Sequence, residues 1–275
     1  MTGSFAGRSV LMSGGSRGIG LAIARRLARE GANVTILAKT DTPHPRHEGT
    51  VHTAVEEIRA AGGGALGVVG DVRDDDAIAR AVEGAVAEFG GIDVVVNNAS
   101  VIDLAPSEVL PTKRYDLMQD VNVRGTFMLT RAAVPHLRRS DRAHVLSLAP
   151  PLNLEPRWLG AFPGYMLAKY GMTLATLGFA HELASDRIGA NTLWPRTTIR
   201  TAAVANVLGG DELMRRSRSP EIYADAAFEV LRSDPAALTG RSLIVEDVLA
   251  EAGVTDLARY SPGVPEEDLY PDVFL

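Results

Sequence analysis

Short apolar runs alternate with amphipathic stretches along this chain in a regular order. Arg8–Met12 (RSVLM) reads as a buried strand. Behind it, Ile19, Ile23 and Leu27 recur at helical spacing, with Arg25, Arg26, Arg29 and Glu30 on the other face and Gly31 as a stop. The pattern continues as strand Asn33–Ala38, helix Val51–Ala60, strand Ala65–Val69, helix Asp75–Phe89 and strand Ile92–Val96. A long helix over Thr112–Arg138, strand His144–Leu148, helix Tyr165–Ala184 and strand Gly189–Leu193 follow. A mixed segment to about Leu231 and strand Ser242–Val245 complete the series. This order predicts an α/β fold: a doubly wound, Rossmann-type parallel sheet with helices on both faces. No Pro/Ser-rich linker divides the chain, so a single domain over residues 1–275 is expected, with no further domain beyond it. On such sheets ligands bind beyond the carboxyl ends of the strands, which directs attention to the residues just after each one.

Composition narrows the classes. At 275 residues and 46% hydrophobic content the chain can bury a large aliphatic core. A net charge of −6 argues against nucleic acid, and the cluster Arg215, Arg216, Arg218 is read as a solvated helix face. Absence of cysteine excludes disulfides and thiolate chemistry and fits a reducing cytoplasm. No apolar run reaches membrane-spanning length, and MTGSFAGRS lacks the apolar stretch of a signal peptide.

Between the first strand and first helix lies SGGSRGIG, Ser13–Gly20. Its helix N-terminus offers free N–H groups and the positive end of a dipole to a pyrophosphate, and its glycines let the phosphate approach the backbone. Gly14, Ser16, Arg17, Gly18, Ile19 and Gly20 are therefore the candidate dinucleotide cradle. The spacing differs from GxGxxG, and the absence of Gly-Lys-Ser/Thr excludes a P-loop. Gly14–Gly18 also satisfies GxSxG, but no acid and histidine are singled out downstream as partners for Ser16.

An NAD site usually places an acid ~20 residues beyond such glycines to hold the ribose hydroxyls. Here Ala38 and Lys39 occupy that region, and Lys39 with Arg17 reads as a clamp for a 2′-phosphate. NADP(H) is thus expected over NAD(H), with Asp41 as the rival ribose acid. His44 and His47 form an HxxH, but Pro45 lies between them and no further ligand stands at motif spacing, so no metal site is expected.

Tyr165 and Lys169 in GYMLAKYGM stand at i and i+4 and share one helix face. A free tyrosine titrates near ~10, and an adjacent cation lowers that by about one to three units, toward the range of useful proton transfer. Alone, the spacing fits equally a buried ring beside a solvated amine. Its company decides otherwise: the glycine loop, Asp71-Val72 after the third strand, Asn97-Asn98-Ala99 after the fourth, and Asn122.

Together these residues resemble the short-chain dehydrogenase/reductase family, over nearly the whole chain to Pro271–Leu275. The resemblance implies hydride transfer between a nicotinamide and a ketone or secondary alcohol, of steroid- or lipid-like type. Tyr165 would be the acid/base, Lys169 its tuning cation and grip on the nicotinamide ribose, and Asn122 the holder of a relay water. Asp71 and Val72 would hold the adenine, Asn98 and Ala99 the ribose, and Pro195, Thr197 and Thr198, with Thr201, the carboxamide end. A lid over the substrate is expected near 202–219. Pairing into a homodimer or homotetramer is expected through the helices Thr112–Arg138 and Tyr165–Ala184.

Three positions depart from the family pattern. Pro150, after Ala149, stands where a catalytic serine is usual, and Ser147 is read as a structural hydroxyl. Loss of one such donor typically costs about a hundred- to a thousandfold in rate. Either another group such as Asn153 replaces it, or the chain is a weak or inactive cofactor-binding regulatory protein. Ser100 follows Asn-Asn-Ala in place of glycine. Arg196 follows Pro195, positioned either to meet an anionic group near the nicotinamide or to face solvent.

Overall fold

A computed structural model describes residues 3–43 and 48–275, apart from the side chains at 207 and 208. Strands and helices alternate as β1 (Ser9–Ser13), α1 (Gly18–Ala28), β2 (Asn33–Ala38), α2 (Val51–Ala60), β3 (Ala65–Val69), α3 (Asp75–Phe89) and β4 (Val94–Asn97). There follow α4 (Thr112–Met118), α5 (Gly125–Leu137), β5 (His144–Ser147), α6 (Pro156–Ala161), α7 (Pro163–Glu182) and β6 (Gly189–Trp194). The series ends with α8 (Gly210–Arg215), α9 (Glu221–Arg232), β7 (Ser242–Ile244) and α10 (Val245–Glu251). Among the described residues the strands form one parallel sheet in the order β3-β2-β1-β4-β5-β6-β7. The expected doubly wound α/β fold is the fold observed.

Strand alternation divides the core into two layers. Val10, Met12, Val34 and Ile36 point to the face covered by Ile23 and Leu27 of α1, Ala54 and Ile58 of α2, and Ile222 of α9. Leu11, Val95 and Val145 point to the other, against Ala77 and Ala81 of α3, Leu129 of α5 and Phe179 of α7. Burial on both faces is why these strands read as apolar runs rather than as alternating patterns.

The most consequential differences from the sequence expectation lie in the helices and the last strand. The helix expected over Thr112–Arg138 is interrupted by a π-turn, Gln119–Arg124. Helix α7 begins two residues before Tyr165, because Pro163 at its first position lacks an N–H and is already set to a helical φ. The last strand stops at Ile244, and Val245 opens α10. His44 and His47 lie outside the described residues; no cluster of metal-ligating side chains occurs among the described ones.

Candidate active site

Loop Gly14–Arg17 leaves the carboxyl end of β1 and turns into α1. Gly14 has φ +74°, and a Cβ there would stand 2.8 Å from the Asn98 amide; one at Gly20 would stand 2.6 Å from the same group. Only glycine therefore allows the two loops to touch. Asn98 uses this closeness: its Nδ2 donates to the carbonyls of Gly14 (2.7 Å) and Ser13 (3.2 Å). The expected ribose contact from Asn98 thus becomes first a clasp between β1 and β4. No side chain caps α1 and its first turn holds no acid, so its N-terminal N–H groups suit a pyrophosphate. Ile19 and Asn98 also line the cavity described below, while Ser16 is buried within the loop.

At the other end of the loop the polar groups pair with one another. Arg17 donates to Thr40 Oγ1 (2.6 Å) and to the Gly49 carbonyl (3.0 Å). Lys39 pairs with Asp71 at 3.0 Å, and Arg73 grips the same carboxylate at 2.7 Å. Although partial burial works against it, hydrogen bonds from Arg73 and Lys39 hold Asp71 well below the usual carboxylate range. Asp41, the rival ribose acid, turns to His52 at 2.7 Å. Val72 is buried against Gly125.

Tyr165 and Lys169 are both almost fully buried, at 5% and 3% exposure, in the wall of one cavity of about 510 Å³. Its other lining is mostly apolar, including Ile102, Leu104, Phe162, Trp194, Leu213 and Val273. Lys169 Nζ donates to the Leu148 carbonyl at 2.8 Å and lies 5.1 Å from the centre of the Trp194 ring. Burial lowers the lysine to about 8, with the charge of Asp272 opposing that fall. Burial pushes the Tyr165 phenol well above its ordinary range, and Asp272 adds to the push. Desolvation prevails at Tyr165 in this arrangement, and the Lys169 ammonium is directed to the Leu148 carbonyl.

Asn122 lies in the π-turn and is fully buried. Its amide brackets one residue, accepting from the Val101 N–H (2.8 Å) and donating to the Val101 carbonyl (3.0 Å). The side chain assigned to a relay water is thus occupied in fixing the segment after Asn98-Ala99-Ser100.

Around the position of the usual serine the hydroxyls turn inward. Ser147 accepts from Thr176 (2.7 Å) and from the Asn97 amide (3.2 Å), fully buried, and does not line the cavity. Pro150 accepts from Thr173 through its carbonyl. Asn153 donates its amide to the Phe274 carbonyl at 3.2 Å and accepts from the Glu155 N–H, and it does not line the cavity. Arg196 turns outward to Asp247, with both hydrogen bonds at 2.7 Å, which settles its two readings in favour of the solvent-facing one. Pro195, Thr198 and Thr201 line the cavity; Thr197 accepts from Arg218. The segment expected as a lid walls the cavity through Ala203, Val204, Gly209, Glu212, Leu213 and Arg216.

One contributor had no sequence signal. Tyr270–Phe274 is laid against the segment that follows β6: Pro271 bridges Thr197, the Asp272 N–H donates to the Arg196 carbonyl (2.8 Å), and Trp194 Nε1 donates to the Val273 carbonyl (2.9 Å). Phe274, at φ +75°, is fully buried against Tyr165, Phe162, Tyr170 and Trp194. A bulky residue at positive φ is strained, and the aromatic nest holds it there. This fold-back carries Asp272 into the cavity.

The short chain dehydrogenase family profile matches residues 8–209. Hydroxysteroid dehydrogenase-like protein 2 of Bos taurus is 48% identical over 276 residues, covering 100% of this chain and 65% of its own length. The chain thus spans just under two thirds of that curated relative. Among solved structures, a short chain dehydrogenase of Mycobacterium thermoresistibile is 54% identical with TM-score 0.92, covering 98% of this chain and 95% of that one. An NADH-dependent reductase, A1-R′, complexed with NAD is 27% identical with TM-score 0.71, covering 89% and 97%.

Proposed function

The chain belongs to the short-chain dehydrogenase family, and on that footing we propose that it is an NADP(H)-dependent oxidoreductase acting on a ketone or secondary alcohol, with Tyr165 as acid/base. The observation that carries this reading is the burial of Tyr165 and Lys169 in one cavity whose wall also includes Ile19 and Asn98 from the dinucleotide loops. The nicotinamide, when bound, supplies or accepts the hydride. In reduction, Tyr165 gives its phenolic proton to the substrate oxygen as the carbonyl carbon gains the hydride. Burial keeps that phenol protonated at neutral pH, the form reduction requires. Loops Gly14–Gly20 and Asn98–Ala99 hold the cofactor, with Lys169 at the nicotinamide ribose and Pro195, Thr197 and Thr198 toward the carboxamide. Asp71 and Val72 stand at the adenine, and residues 202–219 serve as the lid.

The preference for NADP(H) rests on charge. Near the ribose, Lys39 and Arg73 set two cations against the single carboxylate of Asp71, and Arg17 adds a third. Asp41, the acid that would favour NAD, is engaged with His52. The structure of reductase A1-R′ has a like fold and is NADH-dependent, so the fold by itself does not choose NADP(H).

The apolar lining and the volume suit a bulky, largely apolar substrate, in keeping with the name of the Bos taurus relative. Pairing of two copies through α5 and α7 is supported by Phe127, Leu167 and Leu174, exposed at 43%, 50% and 58%. Among the described residues no helix is long and apolar enough to cross a membrane.

Nicotinamide oxidation with a panel of hydrophobic ketones, compared between the parent and Tyr165→Phe, tests the reading. The expected loss in the variant is about a hundred- to ten-thousandfold with cofactor binding retained. NADPH binding without turnover of any ketone, and no difference between the two proteins, would instead establish a cofactor-binding regulatory protein, the reading that Pro150 favours.

A further inference from the structure

Resting on Tyr165 and Lys169 as the working pair, we propose that Asp272 is a positioning residue: the counter-charge that holds Lys169 as an ammonium within the cavity. Lys169 is buried with one carbonyl partner, Leu148, and the face of Trp194. An ammonium so placed has lost most of its water and needs a negative charge to stay protonated.

The groups around Asp272 leave one candidate for each side of the pair. It shares the cavity wall with Tyr165 and Lys169 of α7, Tyr223 of α9, and Glu212 and Arg216 of the lid, and the charge of Glu246 on α10 also acts on it. Tyr223 donates to the Leu193 carbonyl. Glu246 accepts from the Arg196 N–H at 2.9 Å, and Arg216 donates to the Asp268 carbonyl at 2.7 Å. Lys169 is therefore the buried cation that shares the cavity wall with Asp272. Glu212, the other carboxylate in the cavity wall, is paired with Arg215. Among the described residues Asp272 has no ion pair, and its carboxylate accepts only from the adjacent Val273 N–H, at 2.7 Å.

The placement is specified by the backbone. The Asp272 N–H is fixed to Arg196, its neighbour Val273 to Trp194, and Phe274 sits in the nest formed partly by Tyr165 itself. Burial raises Asp272 toward about 7, tempered by the part of its surface open to the cavity, and Lys169 pulls it back down. The same negative charge keeps the proton on both neighbours, opposing ammonium loss at Lys169 and ionisation at Tyr165. Removing it must lower both pKa values together.

Lys39, Lys113 and Lys169 are the lysines of this chain, so Lys169 can be followed directly in protein carrying ¹³C-lysine, without substrate. Its signal is assigned by loss in Lys169→Met. The parent is expected to titrate near pH 8. Asp272→Asn should lower that midpoint by about half a pH unit or more, roughly threefold in the ionisation constant, and Asp272→Glu should restore it. An unchanged midpoint in Asp272→Asn, with Lys39 and Lys113 signals as in the parent, overturns the proposal. If Asp272→Asn does not fold, the parent decides: ionisation of Asp272 must produce a second, more acidic step in the Lys169 signal, and a single step overturns the idea. Full turnover in Tyr165→Phe would sink the acid/base reading and leave this titration unaffected.

Discussion

Lys39 and Asp71 close a 3.0 Å ion pair between the segments that leave β2 and β3, at the place where a bound ribose is expected. The pair links two residues given separate tasks by the sequence, one for a 2′-phosphate and one for adenine. Because Arg73 shares the carboxylate, a phosphate can draw Lys39 away without leaving Asp71 alone. Replacing Lys39 by Asp inverts the charge and sets two carboxylates together. NADPH binding, read by fluorescence titration, should weaken by about tenfold or more, while NADH changes far less. Equal affinity of the parent protein for both cofactors would remove the basis for the preference.

Ser147 is predicted to be dispensable for turnover. Its hydroxyl accepts from Thr176 and Asn97 in the interior and faces away from the cavity. Ser147→Ala should cost about 1 kcal/mol or somewhat more in stability, since it leaves buried donors short of an acceptor. The ketone reduction rate should stay within about twofold of the parent's. A loss of a hundredfold or more would mean that this hydroxyl reaches the substrate in the working enzyme.

Asn122→Ala separates scaffolding from proton relay. It leaves both polar groups of Val101 without the partner they have now, and a buried unsatisfied group costs about 1–3 kcal/mol. The urea midpoint should fall with an unchanged slope. Any rate loss should come with weaker cofactor binding, because Val101 follows the loop that carries Asn98. A slower enzyme with unaltered stability and affinity would return Asn122 to the relay.

The parallel doubly wound sheet, the glycine loop and the Tyr165–Lys169 helix were legible because each is a local pattern: apolar runs alternating with helices, glycines before a helix, and an i, i+4 pair. What escaped depends on distant contacts. A π-turn leaves no mark in a hydrophobic period, so Asn122 was placed on a plain helix. Arg196 read as a candidate anion partner because its actual partner, Asp247, lies on another element. Asp272 was invisible for the same reason. Nothing in Pro271–Leu275 announces that an aromatic nest built from α7 and β6 will draw the segment back over the cavity.

His144 on β5 is fully buried; one ring nitrogen lies 3.2 Å from the Ser233 carbonyl, and the other, Nδ1, has no hydrogen-bond partner among the described residues. Burial lowers it from its ordinary value to about 4, a shift that the Ser233 hydrogen bond only partly opposes. The folded state therefore resists protonation, while the unfolded chain takes up a proton below about 6.5. Its contribution is fully present above that pH, declines as pH falls toward 4, and stops changing below. At most ~3 kcal/mol is involved if the whole shift is realised. Urea unfolding of the parent and of His144→Gln at several pH values between 7.5 and 4.5 isolates the effect, with the glutamine variant losing less stability on acidification. Parallel curves for the two proteins would show that His144 titrates alike in the folded and unfolded states.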